Sequence, residues 1–372
     1  MNKNICVITG TRAEYGVLKP LLSEIGKNRN LNLQLVVMGM HLMREFGYSI
    51  DEIKKDGFKI SAVVNNAYKE DSKSAMVVSL GKEMGALPSI FKKLNPEIVV
   101  TIGDRGEMLV AAMVAKVLGI SVAHIHGGDV SGNVDDLFRH ALTKISDFHF
   151  PATKKSKERI LGFGEHPKYV WRVGALGLDS ILKPGAFENK YGIDFSSRYI
   201  LVVQHPVVSE SGQAKQQAVQ TLEAVKETGM KAIVVYPNAD AGGRKIIEVI
   251  KEYEGVQGFK IFKNLPHDIF LFIMSNAAVM VGNSSSGIIE AASYKVPVVN
   301  IGSRQKGRER GSNVINVGHD KKAIKRAINR ALFDKGFRKK LANVKNPYGD
   351  GRTARKIVKI LQRVGKNELK IR

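Results

Sequence analysis

The sequence predicts an α/β protein made of two doubly wound, Rossmann-like domains that face each other across a cleft. Three observations carry that prediction. The chain has 372 residues and 44% apolar content, more than one ordinary hydrophobic core accommodates and enough to fill two. Short apolar runs alternate with amphipathic stretches through nearly the whole length, the pattern of parallel sheets covered by helices on both faces. Around residues 184–197 the alternation lapses into Pro, Gly and polar residues, which marks a linker.

In the first unit, residues 1–183, strands are expected at 5–9, 33–38, 98–102, 122–125 and 169–173, with helices at 17–26, 74–94, 106–118 and 136–146. In the second, residues 197–352, strands are expected at 199–203, 232–235, 260–262, 278–281, 298–301 and 314–317. Helices at 213–228, 244–253, 268–275 and 321–333 separate them. Residues 353–372 begin as a basic helix expected to pack back on the first unit.

Lys and Arg total 58 against 35 Asp and Glu, a formal charge of +23, which raises the question of a polyanionic partner. The basic residues are dispersed over nearly every expected helix. No zinc-finger spacing, basic region with heptads or RNA-binding aromatic motif accompanies them, so no nucleic-acid partner is expected. Part of the charge is free to steer a small anion into the cleft. Cys6, the only cysteine, lies in an apolar run, where it reads as core and not as a nucleophile; no intrachain disulfide can form. No secretory leader or membrane-length apolar run is evident, and a soluble cytoplasmic protein is expected.

Ligands of doubly wound sheets bind beyond the carboxyl ends of the strands, so the residues that follow each strand are the candidates for chemistry. "GTRAEYG" places Arg12 after the first strand, and an arginine fork there suits an anionic ligand. "GDRGE" supplies Asp104 and Arg105. "HGGDVSGNVDDLFRHALTK" gathers His126, Asp129, Asp135, Asp136, Arg139 and His140 in one loop and helix start. Helix capping accounts for one of the paired aspartates but not for the whole set. Carboxylates close to histidines are what acid and base work requires, because their surroundings push their proton affinities apart.

In the second unit, His205 ends a strand in "VVQHPVV", and His267 follows Pro266 in "FKNLPHD", where the helix start can offer backbone groups to a flat base. "VGNSSSGIIE" runs from a strand into Ser284, Ser285 and Ser286 and then into a helical pattern carrying Glu290. Hydroxyls and free N–H groups at such a junction suit a diphosphate, while Glu290, further along, suits vicinal hydroxyls such as those of a ribose. A plain serine-capped helix is the structural alternative. Arg304, Arg308 and Arg310 follow on a glycine-rich loop. No Gly-x-Gly-x-x-Gly or Gly-Lys-Ser/Thr motif is present, which argues against a dinucleotide enzyme or an ATPase.

Taken together, "TGTRAEYGVLKPLL", "GDRGEMLVAA", "HIHGGDVSGNVDDLFRHALTK", "QHPV" and "GNSSSGIIEAASYKVPVVNIGSRQKGRE" resemble the hydrolysing UDP-N-acetylglucosamine 2-epimerases, over about residues 5–345 and in the same order. The resemblance implies a glycosyltransferase-B architecture. It also implies a reaction in which UDP leaves C1 and a proton leaves C2, and water then adds to the resulting glycal to release a 2-epimeric sugar. Asp104, Asp135 and His205 match the family's catalytic positions, Arg105 and Arg139 stand as supports, and Glu290 matches the ribose-binding acid. Arg12, Ser285, Ser286 and neighbouring arginines, Arg308 among them, fall to the diphosphate. The sequence departs from the pattern at His126, where relatives carry glutamate. The C2 base is then Asp129, Asp135 or His126 itself, and the histidine marks a substrate branch such as UDP-2,4-diacetamido-2,4,6-trideoxy sugars.

The resemblance further implies a UDP-sugar ligand, no cofactor, no metal and a homodimer or homotetramer. The rival readings are a non-hydrolysing epimerase that keeps UDP on its product, a glycosyltransferase on the same scaffold, and a nucleic-acid-binding protein.

Overall fold

The computed structural model describes residues 2–68, 70, 72–131, 134–181, 192–193 and 195–364. Most of the expected linker, Gly132 of the aspartate-rich loop and the last eight residues lie outside them. The first sheet comprises β1 (Lys3–Thr9), β2 (Leu31–Met38), β3 (Ile60–Val64), β4 (Ile98–Ile102), β5 (Ser121–Ile125) and β6 (Phe148–Phe150). The second comprises β7 (Tyr199–Val203), β8 (Lys231–Val235), β9 (Phe259–Phe262), β10 (Val279–Gly282), β11 (Val298–Ile301) and β12 (Val314–Val317).

Every described pairing is parallel. The orders are β3-β2-β1-β4-β5-β6 and β12-β11-β10-β7-β8-β9, so the two sheets share one doubly wound topology. The order reverses between β1 and β4 in one sheet and between β7 and β10 in the other. Those gaps are the places where a ligand finds a crevice.

Alternation along β1 shows why both faces must be covered. Ile5 and Val7 pack with the helix Arg12–Gly26, and Cys6 and Ile8 with the helices Lys73–Leu94 and Gly106–Val117. Cys6 is fully buried, and burial raises its thiol pKa, which suits core packing and not nucleophilic work.

The sequence and the structure differ at three strands. Residues 169–173 are not a strand: Pro167–Tyr169 form a 3₁₀ turn, and only Val170 makes an isolated bridge, to His149. Their aromatic and branched side chains cover the sheet edge instead, with Trp171 stacked on Phe150 at 5.7 Å. The sixth strand is the three-residue Phe148–Phe150, too short to show a period. Ile60–Val64, unanticipated, forms the half-buried edge on the opposite side, where alternation is weak.

The helix Thr353–Arg363 crosses back to the first sheet, burying Ala354, Ile357, Val358 and Leu361 beside β1. Asp179 receives it: its carboxylate accepts from the N–H groups of Thr353 at 2.8 Å and Ala354 at 2.6 Å. Among the described residues no helix is long and apolar enough to cross a membrane. Leu361, fully buried, tests the docking: Leu361→Ala is expected to destabilise the protein by about 2–5 kcal/mol. Urea unfolding followed by far-ultraviolet circular dichroism measures it.

Candidate active site

Both switch points open into one cavity, lined from the first domain by the ends of β1, β4 and β5 and from the second by the ends of β7, β8 and β10. Of the residues singled out in the sequence, Arg12, Asp104, Arg105, His126, Asp135, Arg139, His205, His267, Ser284, Ser285, Ser286, Glu290 and Arg308 all line it. Asp129 does not. Its loop packs back on the helix Lys154–Gly162, where the carboxylate accepts from the Ser156 hydroxyl and lies 3.8 Å from the Arg308 guanidinium. Asp129 therefore stands one layer behind the wall, and the expectation that it faces the ligand is corrected by that packing.

On the first-domain side, Asp104 pairs with the buried guanidinium of Arg139, which also donates to Asp136 at 2.6 Å and to the Asp129 carbonyl at 3.0 Å. A carboxylate held so is kept aimed into the cavity. Asp135 occupies the first turn of the helix Val134–Ile145. Burial raises its pKa, with Arg304 opposing, which draws it toward taking up a proton.

His126 has a left-handed backbone, φ +62, and its Nε2 accepts from the Leu176 N–H at 3.1 Å. Burial drops its pKa to about 4, so the ring is neutral with its lone pair already engaged. His205 is neutral for a similar reason. Burial and the guanidiniums of Arg304, Arg12 and Arg105 push its pKa well down, and Nδ1 accepts from the Asn238 N–H at 3.1 Å. With Nδ1 accepting, the ring proton resides on Nε2, which makes His205 a donor.

The serine turn is not a plain cap. Ser285 sits at the cap position with helical dihedrals and makes no side-chain cap bond, and Ser284 Oγ accepts from the Ser286 N–H at 3.3 Å. The helix is also shorter than the sequence pattern suggests. Ser286–Ile289 form one turn, and the chain tightens into a 3₁₀ turn, Ala291–Tyr294, just past Glu290. Glu290 is buried at that change of winding, where burial raises its pKa to about 8. A Cβ on Gly177 would lie 2.2 Å from its carboxylate, so a larger residue in the turn Leu176–Ser180 of the first domain would displace that acid from its present position.

The domains meet through polar and close-packed contacts at the cavity edge. Arg105 pairs with Asp240 across the cleft at 2.9 Å and with Glu107 on its own side at 3.0 Å. Arg12 donates to Asn264 and to the Lys263 carbonyl. His267, its pKa lowered to about 4 by burial, rests against Gly16, where a Cβ would come within 2.5 Å.

Arg12, Arg105, Arg139, Arg304 and Arg308 thus line the cavity against Glu14, Asp104, Asp135, Asp240 and Glu290. Burial pushes Glu14 up to about 7, Glu290 to about 8 and Asp135 upward too, so near neutral pH the arginines outnumber the ionised acids. The cavity is built for an anion. Sequence reasoning passed over Glu14, Ser131, Phe270 and Gln305, which also line it. Only Glu14 left a readable signal: with Thr11 it forms a capping box, T-x-x-E.

A family profile described as UDP-N-acetylglucosamine 2-epimerase matches residues 23–362. The chain is 39% identical over 369 residues to a Legionella pneumophila protein named UDP-N,N'-diacetylbacillosamine 2-epimerase (hydrolyzing), covering 98% of this chain and 97% of that one. It is 34% identical over 334 residues to a Neisseria meningitidis serogroup B UDP-N-acetylglucosamine 2-epimerase, covering 88% and 87%. Its fold is similar to the crystal structure of a UDP-GlcNAc 2-epimerase from Neisseria meningitidis bound to UDP-GlcNAc, at a TM-score of 0.81 and 20% identity over 97% of this chain and 100% of that one.

Glu290 gives a test of the buried electrostatics. Its folded pKa of about 8 exceeds the ordinary 4.5, so the folded state keeps a proton that the unfolded chain gives up, and stability falls as pH rises between those values. Glu290→Gln has no such proton. It is expected to gain on the wild type from pH 5 to pH 8 by at most about 1.4 kcal/mol per pH unit, measured by denaturant unfolding of the ligand-free protein.

Proposed function

Because the chain belongs to the UDP-N-acetylglucosamine 2-epimerase family, we propose that it is a hydrolysing enzyme that converts a UDP-linked 2-acetamido sugar to UDP and the free 2-epimeric sugar. The observation that carries this reading is the single cavity, in which a serine turn and arginines face an arginine-paired aspartate, a second aspartate of raised proton affinity and a donor imidazole.

The C2 hydrogen has no carbonyl beside it, so departure of UDP from C1 must lead. Ser285, Ser286, Arg304 and Arg308 hold the diphosphate and stabilise the charge that grows on it as the C1–O bond breaks. His205 donates its Nε2 proton toward the leaving oxygen. Asp104, held in place by Arg139, stabilises the positive charge that develops at C1. Asp135 takes the C2 proton, the electron pair of the C–H bond forms the C1–C2 double bond, and UDP departs. Water then adds across the double bond, its hydroxyl joining C1 and a solvent-derived proton reaching C2 from the opposite face, which inverts that centre, while Asp135 gives the proton it took up to solvent. His126 is set aside as the base because its lone pair already accepts from Leu176. Glu290 takes hydrogen bonds from the ribose hydroxyls, and the helix start at His267 meets the base.

Between the two candidate sugars we favour the 2,4-diacetamido-2,4,6-trideoxy one. The chain is 39% identical to the Legionella pneumophila enzyme named for such a substrate and 34% identical to the Neisseria meningitidis serogroup B enzyme named for UDP-N-acetylglucosamine.

Incubation with each UDP-sugar in deuterated water, followed by mass analysis, tests the reading. Free sugar with one deuteron at C2, plus UDP, is expected. An intact epimerised UDP-sugar would contradict hydrolysis, and a product formed only when an acceptor is added would indicate a glycosyltransferase. His205→Gln and Asp104→Asn are each expected to slow turnover by at least about 100-fold with the thermal transition retained.

A further inference from the structure

We infer that Asn283 is a positioning residue for His205, acting in place of a peptide group that the sheet no longer supplies. The inference rests on the reading of His205 as the donor to the leaving diphosphate.

β7 and β10 pair in parallel as far as Val203 and Gly282. Beyond that point the main chains part: β7 runs on through Gln204 and His205 to Pro206, while β10 turns away into the serine segment. The Asn283 N–H still donates to the Val203 carbonyl at 3.1 Å. Its side chain then does what the next residue of a strand would do. The carboxamide oxygen accepts from the His205 N–H at 2.7 Å, and the carboxamide nitrogen donates to the His205 carbonyl at 2.9 Å.

Asn283 is buried, so a peptide group deserted at this point would be left without water as a substitute partner. Asparagine is the neutral side chain short enough to accept and donate at once. An ionised aspartate only accepts, and leucine does neither. Gly282 brings the two strand ends close enough, with φ +132 and a notional Cβ only 2.1 Å from the Val203 carbonyl oxygen.

The His205 peptide is thereby fixed on both sides, and its ring is fixed by the Asn238 N–H at Nδ1. Backbone and imidazole are held as one unit, with the Nε2 proton as the remaining donor. The carbonyl of Asn283, by contrast, accepts from Arg304 at 3.1 Å and Gln305 at 2.9 Å. The side chain of Asn283 therefore serves the imidazole, and its main chain serves the phosphate side.

That division sets the experiment. Asn283→Ala and the isosteric Asn283→Asp are compared with wild type and with His205→Gln for kcat, KM, UDP affinity by calorimetry and the thermal transition. Loss of the side chain is expected to lower kcat on the order of 100-fold, the scale of a misplacement near 1 Å. KM and the Kd for UDP should stay within about threefold, because the main-chain bonds to Arg304 and Gln305 survive. The double variant with His205→Gln should be no slower than His205→Gln alone.

Wild-type kcat in both Asn283 variants, beside an inactive His205→Gln, overturns this inference and leaves the function reading standing. UDP affinity falling in proportion to kcat also overturns it, since Asn283 would then serve the phosphate side. Wild-type turnover in His205→Gln overturns the reading of His205 as the donor, on which this inference rests, and leaves the overall reaction to the product analysis. If Asn283→Ala does not fold, Asn283→Asp decides, since it keeps the volume and the bond from the His205 N–H.

Discussion

The Arg105 guanidinium, largely shielded from solvent between Asp240 of one domain and Glu107 of the other, is the interaction on which the cavity depends. A buried ion pair adds little net stability, because desolvation offsets most of the attraction. Parting its members, however, leaves a charge unmet in a low-dielectric space. The pair therefore penalises other placements of the two sheets more than it stabilises the fold. Every proposed chemical role needs that placement, since Asp104 and Asp135 come from one sheet and His205, Ser285 and Glu290 from the other. The Arg244 side chain adds a second tie at the rim, pairing with Glu45 and lying over the rings of Phe46 and Tyr68.

Burial then sorts the titratable groups without any change of residue type. Asp104 is paired with Arg139, Asp135 and Glu290 are drawn toward neutrality, and both His126 and His205 are neutral with opposite ring nitrogens engaged. His126 presents Nε2 to Leu176, whereas His205 presents Nδ1 to Asn238. Two imidazoles on facing walls thus have different capacities, set by which backbone N–H each one meets.

The sequence made the sheets legible because a strand buried on both faces is a continuous apolar run, as at residues 98–102 and 199–203. It failed at Ile60–Val64, an edge with weak alternation, and at Phe148–Phe150, too short for any period. Of the polar residues directly after strands, Asp104, His205 and the serines all reach the cavity. Which side chain in a loop turns inward is another matter. Asp129 and Asp135 look alike in the chain, yet the packing of one loop on the helix Lys154–Gly162 sends Asp129 outward to Ser156. Gln305 and Phe270 gave no signal because their approach is created by the second sheet's own folding and not by local pattern.

The return of the helix Thr353–Arg363 to the first sheet, secured by Asp179, carries a mechanical consequence. The polypeptide passes between the two lobes on the way out and again on the way back, and this second passage is sewn to the first lobe through the Tyr348 carbonyl and the Ala175 N–H at 2.7 Å. Severing the outgoing passage would therefore still leave the second lobe moored to the first by that docked segment.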